Sequence, residues 1–243
     1  HFYLLSAGTA QHRDLDYISM AILGAENVTV TDLTSKQGAL LLAGPKARDV
    51  LSKITNFDIR NERFKWLNGK KINISGISLW ALRINYVGEL GWELHCPMEK
   101  LPDLYDIVWE AGMSYGIADF GLYAVNSLRL EKAYKGWGAE LTNEITMIEA
   151  GLDRFISWDK GKFVGRDELL KRVNNGVPIK IVYCELEPGN CDISGGEPVM
   201  SGSRIIGVST SGGYGYYTQK NLFFAYVESA FANPGLEIEV HVL

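Results

Sequence analysis

The pattern of helices and strands along the chain changes near residues 174–178, and this change limits the folds that the sequence can adopt. Before residue 174, segments with helical spacing of apolar residues alternate with segments of strand-like alternation. Beyond Pro178 the pattern consists of strands and glycine-containing turns alone. Such a change is typical of two units. We therefore predict an α+β domain over residues 1–174 and a small all-β barrel or jelly-roll module over residues 178–243.

Local patterns predict the individual elements. Helices are predicted over residues 9–24, 44–54, 101–111, 120–133 and 163–173, and strands over residues 1–5, 28–33, 38–43, 77–87 and 91–96. In the second domain, strands are predicted over residues 179–187, 198–200, 204–209, 222–227 and 236–242. Asn68-Gly69 is typical of a hairpin turn between two short strands. The glycine-rich run at residues 211–217 fits no nucleotide-binding fingerprint and predicts tight turning in the β module.

Composition excludes several classes of protein. The 243 residues are 47% hydrophobic and 22% charged, as in ordinary globular proteins. A net charge of -5 argues against a duplex nucleic-acid binder, and no apolar run or leader pattern predicts a membrane span or signal peptide. The three cysteines, Cys96, Cys184 and Cys191, lack zinc-ligand spacing, so we expect free thiols in a reducing compartment and no metal.

The run Tyr-Val-Gly-Glu-Leu-Gly-Trp-Glu at residues 86–93 carries the most chemical information. If Gly88–Gly91 forms a four-residue loop, Tyr86 faces Glu93 across a hairpin. Glu93 then shares a largely apolar strand face with Leu82 and Trp80. A buried carboxylate is costly without a partner, and a ligand site is one explanation for it. The alternative is an edge hairpin whose Glu93 reaches water or a nearby arginine.

His95 and a group of charged residues on one predicted helix are interpreted as structural rather than functional. His95 lies on the same strand face as Glu93, where a lone histidine more often packs or lies at a solvated edge than acts as a catalyst. Arg129, Glu131 and Lys132 lie on one predicted helix and are interpreted as a local, exposed ion-pair set. Neither a serine-hydrolase elbow nor a metalloprotease motif occurs in the sequence.

Several blocks together carry a resemblance to a known family. They are the Tyr-x-Gly-Glu-x-Gly-x-Glu run at 86–93, Glu-Ala-Gly-Leu at 149–152 and Phe-x-Gly-x-x-x-Leu at 163–169. Read in this order, they resemble the folate-binding aminomethyltransferases: the glycine-cleavage T-protein and the C-terminal folate half of dimethylglycine and sarcosine dehydrogenases. The blocks at 91–94, 123–133, 137–140 and 219–227 are similar to the dimethylglycine dehydrogenase branch. The likeness covers nearly the whole chain.

The resemblance implies a fold and a set of site residues. The expected fold is the aminomethyltransferase folate-binding fold, incomplete at its N-terminus and followed by the β module. Tyr86 would line the pterin site, and Glu93 would accept hydrogen bonds from the pterin amino and ring N–H groups. Leu94 and His95 would complete that wall through backbone or side chain. Arg154 occupies the position of another folate-contacting residue, often tyrosine in the relatives.

The resemblance also implies what lies outside the chain. T-proteins carry an arginine at the position of Val125, which the dehydrogenase branch lacks. The catalytic aspartate of the family falls upstream of residue 1, so no catalytic residue is expected here. Tetrahydrofolate is the expected cofactor, and FAD belongs to the flavin domain of a longer parent chain. We expect a fragment with weak or no turnover alone, and a robust folate-dependent rate would contradict this expectation.

The implied activity is transfer of a one-carbon unit from an N-methyl amine to tetrahydrofolate, as part of a dimethylglycine- or sarcosine-type dehydrogenase. One alternative is a stand-alone glycine-cleavage aminomethyltransferase or folate-dependent demethylase. Another is a non-catalytic regulatory relative. The expected partners are the small-molecule folate and the flavin domain of the same parent chain, without nucleic acid or membrane. The expected location is the cytoplasm of a bacterium, with the mitochondrial matrix as the alternative.

Overall fold

The computed structural model describes residues 1–187, 189 and 192–242, and the chain forms two units, residues 1–119 and residues 120–243. Residues 120–174 pack with the C-terminal strands in the second unit. The predicted boundary at residues 174–178 separates domains that would fold independently, whereas the two units are defined by their contacts. The predicted boundary therefore stays a prediction. Cys96 and Cys184 are free thiols, whereas Cys191 lies outside the described residues.

The first unit is built on a four-stranded antiparallel sheet in the order β1-β4-β3-β2. Its strands are β1 (Gln37–Ala43), β2 (Gly69–Ile74), β3 (Ile77–Leu82) and β4 (Gly91–Pro97). Its helices are α1 (Gln11–Ala21), α2 (Ala47–Ile54) and α3 (Leu101–Gly112), with short 3-10 turns at Gly8–Ala10, Met98–Lys100 and Met113–Tyr115. The predicted helices over residues 9–24, 44–54 and 101–111 and the strand over 38–43 are confirmed within a few residues at their ends.

One face of this sheet forms the core of the unit. Trp92 and Leu94 of β4 point into it and are fully buried. Leu51 of α2 and Leu104 of α3 belong to the same apolar cluster, because both helices have an amphipathic pattern. Burial of each such side chain stabilises the fold by about 1.5–3 kcal/mol. Residues of β4 that alternate with Trp92 and Leu94 therefore project to the opposite face.

Three local predictions in this unit are wrong. Residues 1–5 and 28–33 form no strand, because no neighbouring strand in the described part of the chain supplies their backbone hydrogen bonds. Asn68-Gly69 is not the hairpin turn, since Gly69 begins β2. The turn lies at Ser75-Gly76, both with positive φ (48° and 93°), as a type I′ turn requires. The side chain of Asn73 supports that turn by accepting a hydrogen bond from the Gly76 N–H at 2.8 Å.

The second unit contains a five-stranded antiparallel sheet in the order β5-β8-β7-β6-β9. Its strands are β5 (Ile179–Leu186), β6 (Pro198–Ser201), β7 (Arg204–Gly215), β8 (Lys220–Glu228) and β9 (Glu239–Val240). Its helices are α4 (Leu122–Leu130) and α5 (Arg166–Asn175), with 3-10 turns at Asp153–Phe155, Trp158–Lys160 and Ser229–Phe231. The five strands predicted beyond residue 178 are thus confirmed, although β7 is longer and β9 shorter than predicted.

The glycine-rich run is part of a strand. β7 continues to Gly215, and only residues 216–219 turn, so the predicted tight turning over 211–217 is wrong for most of the run. The glycines permit close approach instead: a Cβ on Gly212 would lie 2.3 Å from the Ile193 carbonyl oxygen. A Cβ on Gly213 would lie 3.3 Å from side chains of α4. Asn126 of α4 also donates to the Gly212 carbonyl at 3.1 Å.

The interpretation of Arg129 as an exposed ion-pair residue is wrong. Its guanidinium is buried and lies 3.0 Å from the carboxylate of Glu140, which is itself fully buried. Ser211 of β7 accepts a second hydrogen bond from the guanidinium at 2.7 Å. Glu131 has other partners: its carboxylate accepts hydrogen bonds from the Tyr217 and Thr218 backbone N–H groups. The network therefore connects α4, the loop after it and β7.

Candidate ligand-binding site

Glu93 lies on the face of the first sheet that is opposite the core. Strand pairing places it beside Leu82 of β3 and Leu41 of β1, and places His95 beside Trp80. The predicted shared face of Glu93, Leu82 and Trp80 is therefore confirmed. Trp80 is 48% exposed and Leu82 is half-buried, so this surface is open and largely apolar. We call it the open face of the first sheet.

The predicted pairing of Tyr86 with Glu93 is wrong, because β3 ends at Leu82 and residues 83–90 form an irregular connection. Asn85 organises that connection: its side-chain oxygen accepts from the Val87 N–H at 3.0 Å, and its amide donates to the Glu89 carbonyl. Val87 is buried and anchors the loop, whereas Tyr86 is 38% exposed. Tyr86 is thus presented by a loop rather than by a strand.

The two glycines of the motif have separate structural reasons. Gly88 has a φ of 74°, a conformation that an L side chain rarely adopts. Gly91 begins β4 where β1 approaches closely, and a Cβ there would lie 2.8 Å from the Leu42 carbonyl oxygen. Together they fix the loop and the start of the strand that carries Glu93.

Trp92 and Leu94 fix β4 from the core side. The Trp92 ring contacts Phe64 edge-on at 6.1 Å, and the guanidinium carbons of Arg48 and Arg83 lie 5.3 and 5.9 Å from its centroid. Burial, followed by the charge of Arg48, lowers the pKa of Arg83. The side chain of Leu94 is fully buried in the same core, so it does not reach the open face, and its backbone lies between Leu40 of β1 and Ala81 of β3.

The Glu93 carboxylate belongs to a short chain of side chains. Its Oε2 lies 3.1 Å from His95 Nε2, and His95 Nδ1 lies 3.1 Å from the Tyr3 hydroxyl. The rings of Tyr3 and His95 meet edge-on with centroids 5.7 Å apart. Burial, and next the negative charge of Glu93, raises the pKa of the Tyr3 hydroxyl. The Glu93 side chain keeps 30% exposure, so its carboxylate remains accessible.

Arg154 lies in the second unit, in the 3-10 turn Asp153–Phe155, with its guanidinium carbon 4.8 Å from the Phe155 ring centroid. The charge of Arg154 also acts on Lys135. Burial, and next the positive charge of Arg154, lowers the pKa of Lys135, whereas the negative charge of Glu140 raises it. The participation of Arg154 in a folate site stays a prediction.

Sequence reasoning missed two features. Tyr3 was assigned only to a predicted strand, and no pattern connects it with His95, 92 residues further along the chain. In the second unit, a cavity of about 360 Å³ is lined mainly by apolar side chains such as Trp137, Met147 and Leu169. The apolar residues of the loop at 137–152 could have indicated it, since they fit no helix or strand period.

The described residues hold neither a cluster of metal-ligating side chains nor a membrane-spanning helix. Residues 1–187, 189 and 192–242 contain no group of three or more histidine, cysteine, aspartate or glutamate side chains placed to hold a metal ion. Across the same residues, no helix combines the length and the apolar character that crossing a membrane requires.

A solved structure and two family profiles identify the fold and the family of this chain. The crystal structure of the glycine cleavage system aminomethyltransferase T from Bartonella henselae superposes with a TM-score of 0.82 over 96% of this chain and 62% of that chain, at 24% identity. The fold is therefore the aminomethyltransferase fold, an α+β part followed by an antiparallel barrel-like part. The sequence profile of the GCVT N-terminal domain matches residues 1–160, and that of the glycine cleavage T-protein C-terminal barrel domain matches residues 180–243. The chain belongs to the glycine cleavage T-protein family of folate-binding aminomethyltransferases.

Curated relatives agree with this assignment. Dimethylglycine dehydrogenase, mitochondrial, of Mus musculus is 38% identical over 100% of this chain and 28% of its own length. An aminomethyltransferase of Caldanaerobacter subterraneus is 34% identical over 99% of this chain and 64% of its own length. The mitochondrial regulatory subunit of pyruvate dehydrogenase phosphatase of Mus musculus is 30% identical over 97% of the chain. The chain thus spans about a quarter of the first relative and less than two thirds of the second.

Proposed function

We propose that this chain binds tetrahydrofolate on the open face of the first sheet and serves as the folate half of a dimethylglycine- or sarcosine-type dehydrogenase. One observation carries the proposal. Glu93 places a partly exposed carboxylate on a largely apolar sheet face, where its orientation is held by the imidazole of His95. Partial burial reduces the hydration of that carboxylate, and a ligand with hydrogen-bond donors would offset this loss.

The residues present fit a pterin ring. A pterin edge presents adjacent amino and ring N–H donors, and an ionised carboxylate offers two oxygens that match them with charge-assisted hydrogen bonds. Among the described residues, no hydrogen bond reaches Glu93 Oε1, and Oε2 has a second lone pair beside the one facing His95. Leu82 and Trp80 offer apolar surface to a flat ring beside the carboxylate. Tyr86 and the Leu94 backbone would border the same ligand.

The chemistry that follows needs little from the protein. Tetrahydrofolate supplies the nucleophilic amine that takes up a one-carbon unit from an oxidised N-methyl amine. In this chain, Glu93 would bind and orient the pterin, which brings that amine to the reacting carbon at high effective concentration. No residue of this chain is proposed as the proton acceptor, and the flavin that oxidises the amine is expected in the parent chain. No catalytic residue is therefore assigned here.

The relatives keep two other roles open. The 34% identity to an aminomethyltransferase supports a stand-alone transferase, and the 30% identity to a phosphatase regulatory subunit supports a non-catalytic role. A flavin domain in the parent chain would distinguish the proposed dehydrogenase from a stand-alone transferase, because only the dehydrogenase carries such a domain. The mitochondrial relatives support the mitochondrial matrix as the alternative to the cytoplasm.

The experiment that tests the proposal is calorimetric titration of the chain and of Glu93→Ala with tetrahydrofolate. We expect saturable binding that Glu93→Ala weakens by about tenfold or more, because a charged hydrogen bond contributes about 1.5–3 kcal/mol. Glu89→Ala is the matched control: it removes an exposed carboxylate from the same motif, and we expect affinity equal to that of the unmodified chain.

Two results would contradict the proposal. If Glu93→Ala binds tetrahydrofolate as tightly as the unmodified chain, the pterin does not contact Glu93. If neither protein binds tetrahydrofolate, this chain does not form a folate site, and the regulatory role becomes the better explanation.

A further inference from the structure

We infer that His95 is a positioning residue, present as the neutral tautomer with its proton on Nε2, which donates to Glu93 while Nδ1 accepts from Tyr3. The inference deepens the proposed function and rests on it only for the identity of the ligand that Glu93 binds. The protonation pattern is inferred from the arrangement of the three side chains, because Glu93 offers an acceptor beside Nε2 and the Tyr3 hydroxyl can donate to Nδ1.

The chemistry of the partners determines the direction of each hydrogen bond. An ionised carboxylate accepts hydrogen bonds and cannot donate them, so the nitrogen 3.1 Å from Glu93 Oε2 must carry a proton. A neutral imidazole has one N–H only, which leaves Nδ1 as an acceptor. The Tyr3 hydroxyl, 3.1 Å from Nδ1, is the donor that this nitrogen requires. The opposite tautomer would place the Nε2 lone pair against the carboxylate oxygen.

The surroundings of His95 hold the ring in place. His95 is only 6% exposed, although it is on the open face. Trp80 of β3 and Ala39 of β1 flank it through the strand pairing, and the Tyr3 ring closes over its edge. Glu93 and His95 are two residues apart on one strand, so their side chains project in the same direction. A ring confined on three sides is a rigid support for the carboxylate.

This arrangement gives the first residues of the chain a role in ligand recognition. Tyr3 lies in a segment without regular structure, and its hydroxyl connects that segment to β4. By fixing the His95 tautomer, Tyr3 would fix the carboxylate rotamer that a ligand meets. A preorganised carboxylate loses less side-chain entropy on binding, and we expect the loss of this support to weaken binding by about threefold to tenfold.

The first test is nitrogen-15 NMR of the imidazole side chains in the unmodified chain, without ligand. The sequence has four histidines, and the His95 signals are identified by their absence in His95→Gln. We expect a protonated Nε2 and an unprotonated Nδ1 at neutral pH. In Tyr3→Phe, which keeps the ring but removes the hydroxyl, we expect the Nδ1 signal of His95 to shift. An Nδ1-protonated ring or an imidazolium would overturn the inference.

The second test is titration with tetrahydrofolate of His95→Gln and His95→Leu. Glutamine retains a side-chain N–H donor for Glu93, so we expect affinity within about threefold of the unmodified chain. Leucine keeps bulk but offers no donor, and we expect an affinity about threefold to tenfold lower than that of the unmodified chain. Equal affinities for the two variants would overturn the positioning role. Thermal unfolding of both variants separates a loss of folding from a loss of positioning.

The outcomes also separate this inference from the proposed function. If the unmodified chain shows the expected tautomer but does not bind tetrahydrofolate, the proposed function fails and the three-residue arrangement stands. If the chain binds tetrahydrofolate and His95 shows another protonation state, the arrangement fails and the proposed function stands.

Discussion

Arg129→Ala is expected to destabilise the second unit by about 3–5 kcal/mol, because it leaves the carboxylate of Glu140 buried without its charged partner. Glu140 is fully inaccessible and receives hydrogen bonds from Arg129, from Thr210 and from the Gly136 backbone N–H. The hydrogen bonds from Thr210 and Gly136 cannot replace the positive charge of Arg129. The measurement is urea-induced unfolding followed by circular dichroism.

An exposed ion pair of the same unit gives the control for this result. Arg204 and Glu228 lie 2.6 Å apart, but their side chains are 63% and 39% exposed. Arg204→Ala should therefore cost about 1 kcal/mol or less. The double change Arg129→Met with Glu140→Leu should be less destabilising than Arg129→Ala, since it removes both buried charges. An Arg129→Ala midpoint equal to that of Arg204→Ala would show that the buried pair does not stabilise the fold.

Trp92→Ala is expected to destabilise the first unit by about 3–5 kcal/mol through the cavity that it leaves in the core. The ring is fully buried, it contacts Phe64, and the guanidinium carbons of Arg48 and Arg83 lie 5.3 and 5.9 Å from its centroid. Folate affinity should fall as well, because Trp92 immediately precedes Glu93 on β4. Guanidinium-induced unfolding monitored by circular dichroism measures the first effect, and calorimetric titration with tetrahydrofolate measures the second.

Trp92→Phe is the matched variant. Within the described part of the chain, no group accepts a hydrogen bond from Trp92 Nε1–H, so phenylalanine removes no polar interaction of that atom. We expect a clearly smaller loss of stability than for alanine, because an aromatic ring still fills most of the space beside Phe64. Equal losses for the two variants would mean that the cavity does not govern the stability of this sheet.

The sequence predicted what depends on local pattern. Gly44-Pro45 indicated the start of the helix α2, and strand alternation placed Glu93 on the face of Trp80 rather than in the core. It did not predict the end of β3 at Leu82, because the alternating pattern continues to Tyr86 after strand pairing has ended. Loop geometry set by Asn85 and Gly88 ended the strand instead.

Contacts between distant residues were beyond prediction. Arg129 and Glu131 are equally polar in sequence, yet one is buried against Glu140 and the other supports a surface turn. Only the packing of α4 against β7 determines which of the two side chains is buried. Tyr3 reaches His95 in the same way, through a fold that brings the first residues onto the sheet. The strand face on which Glu93 lies was therefore predictable, but the side chains that support Glu93 were not.

The alternation of buried and accessible side chains along β4 makes ligand binding depend on strand register. Trp92 and Leu94 are fully buried on one side of the strand, while Glu93 is accessible on the other. A slip of β4 by one residue against β1 or β3 would exchange these sides, turning the carboxylate inward and an indole outward. Folate binding would thus act as an assay of strand register. During refolding or in a library of variants, the fraction of molecules that retain the ligand would report the fraction correctly assembled.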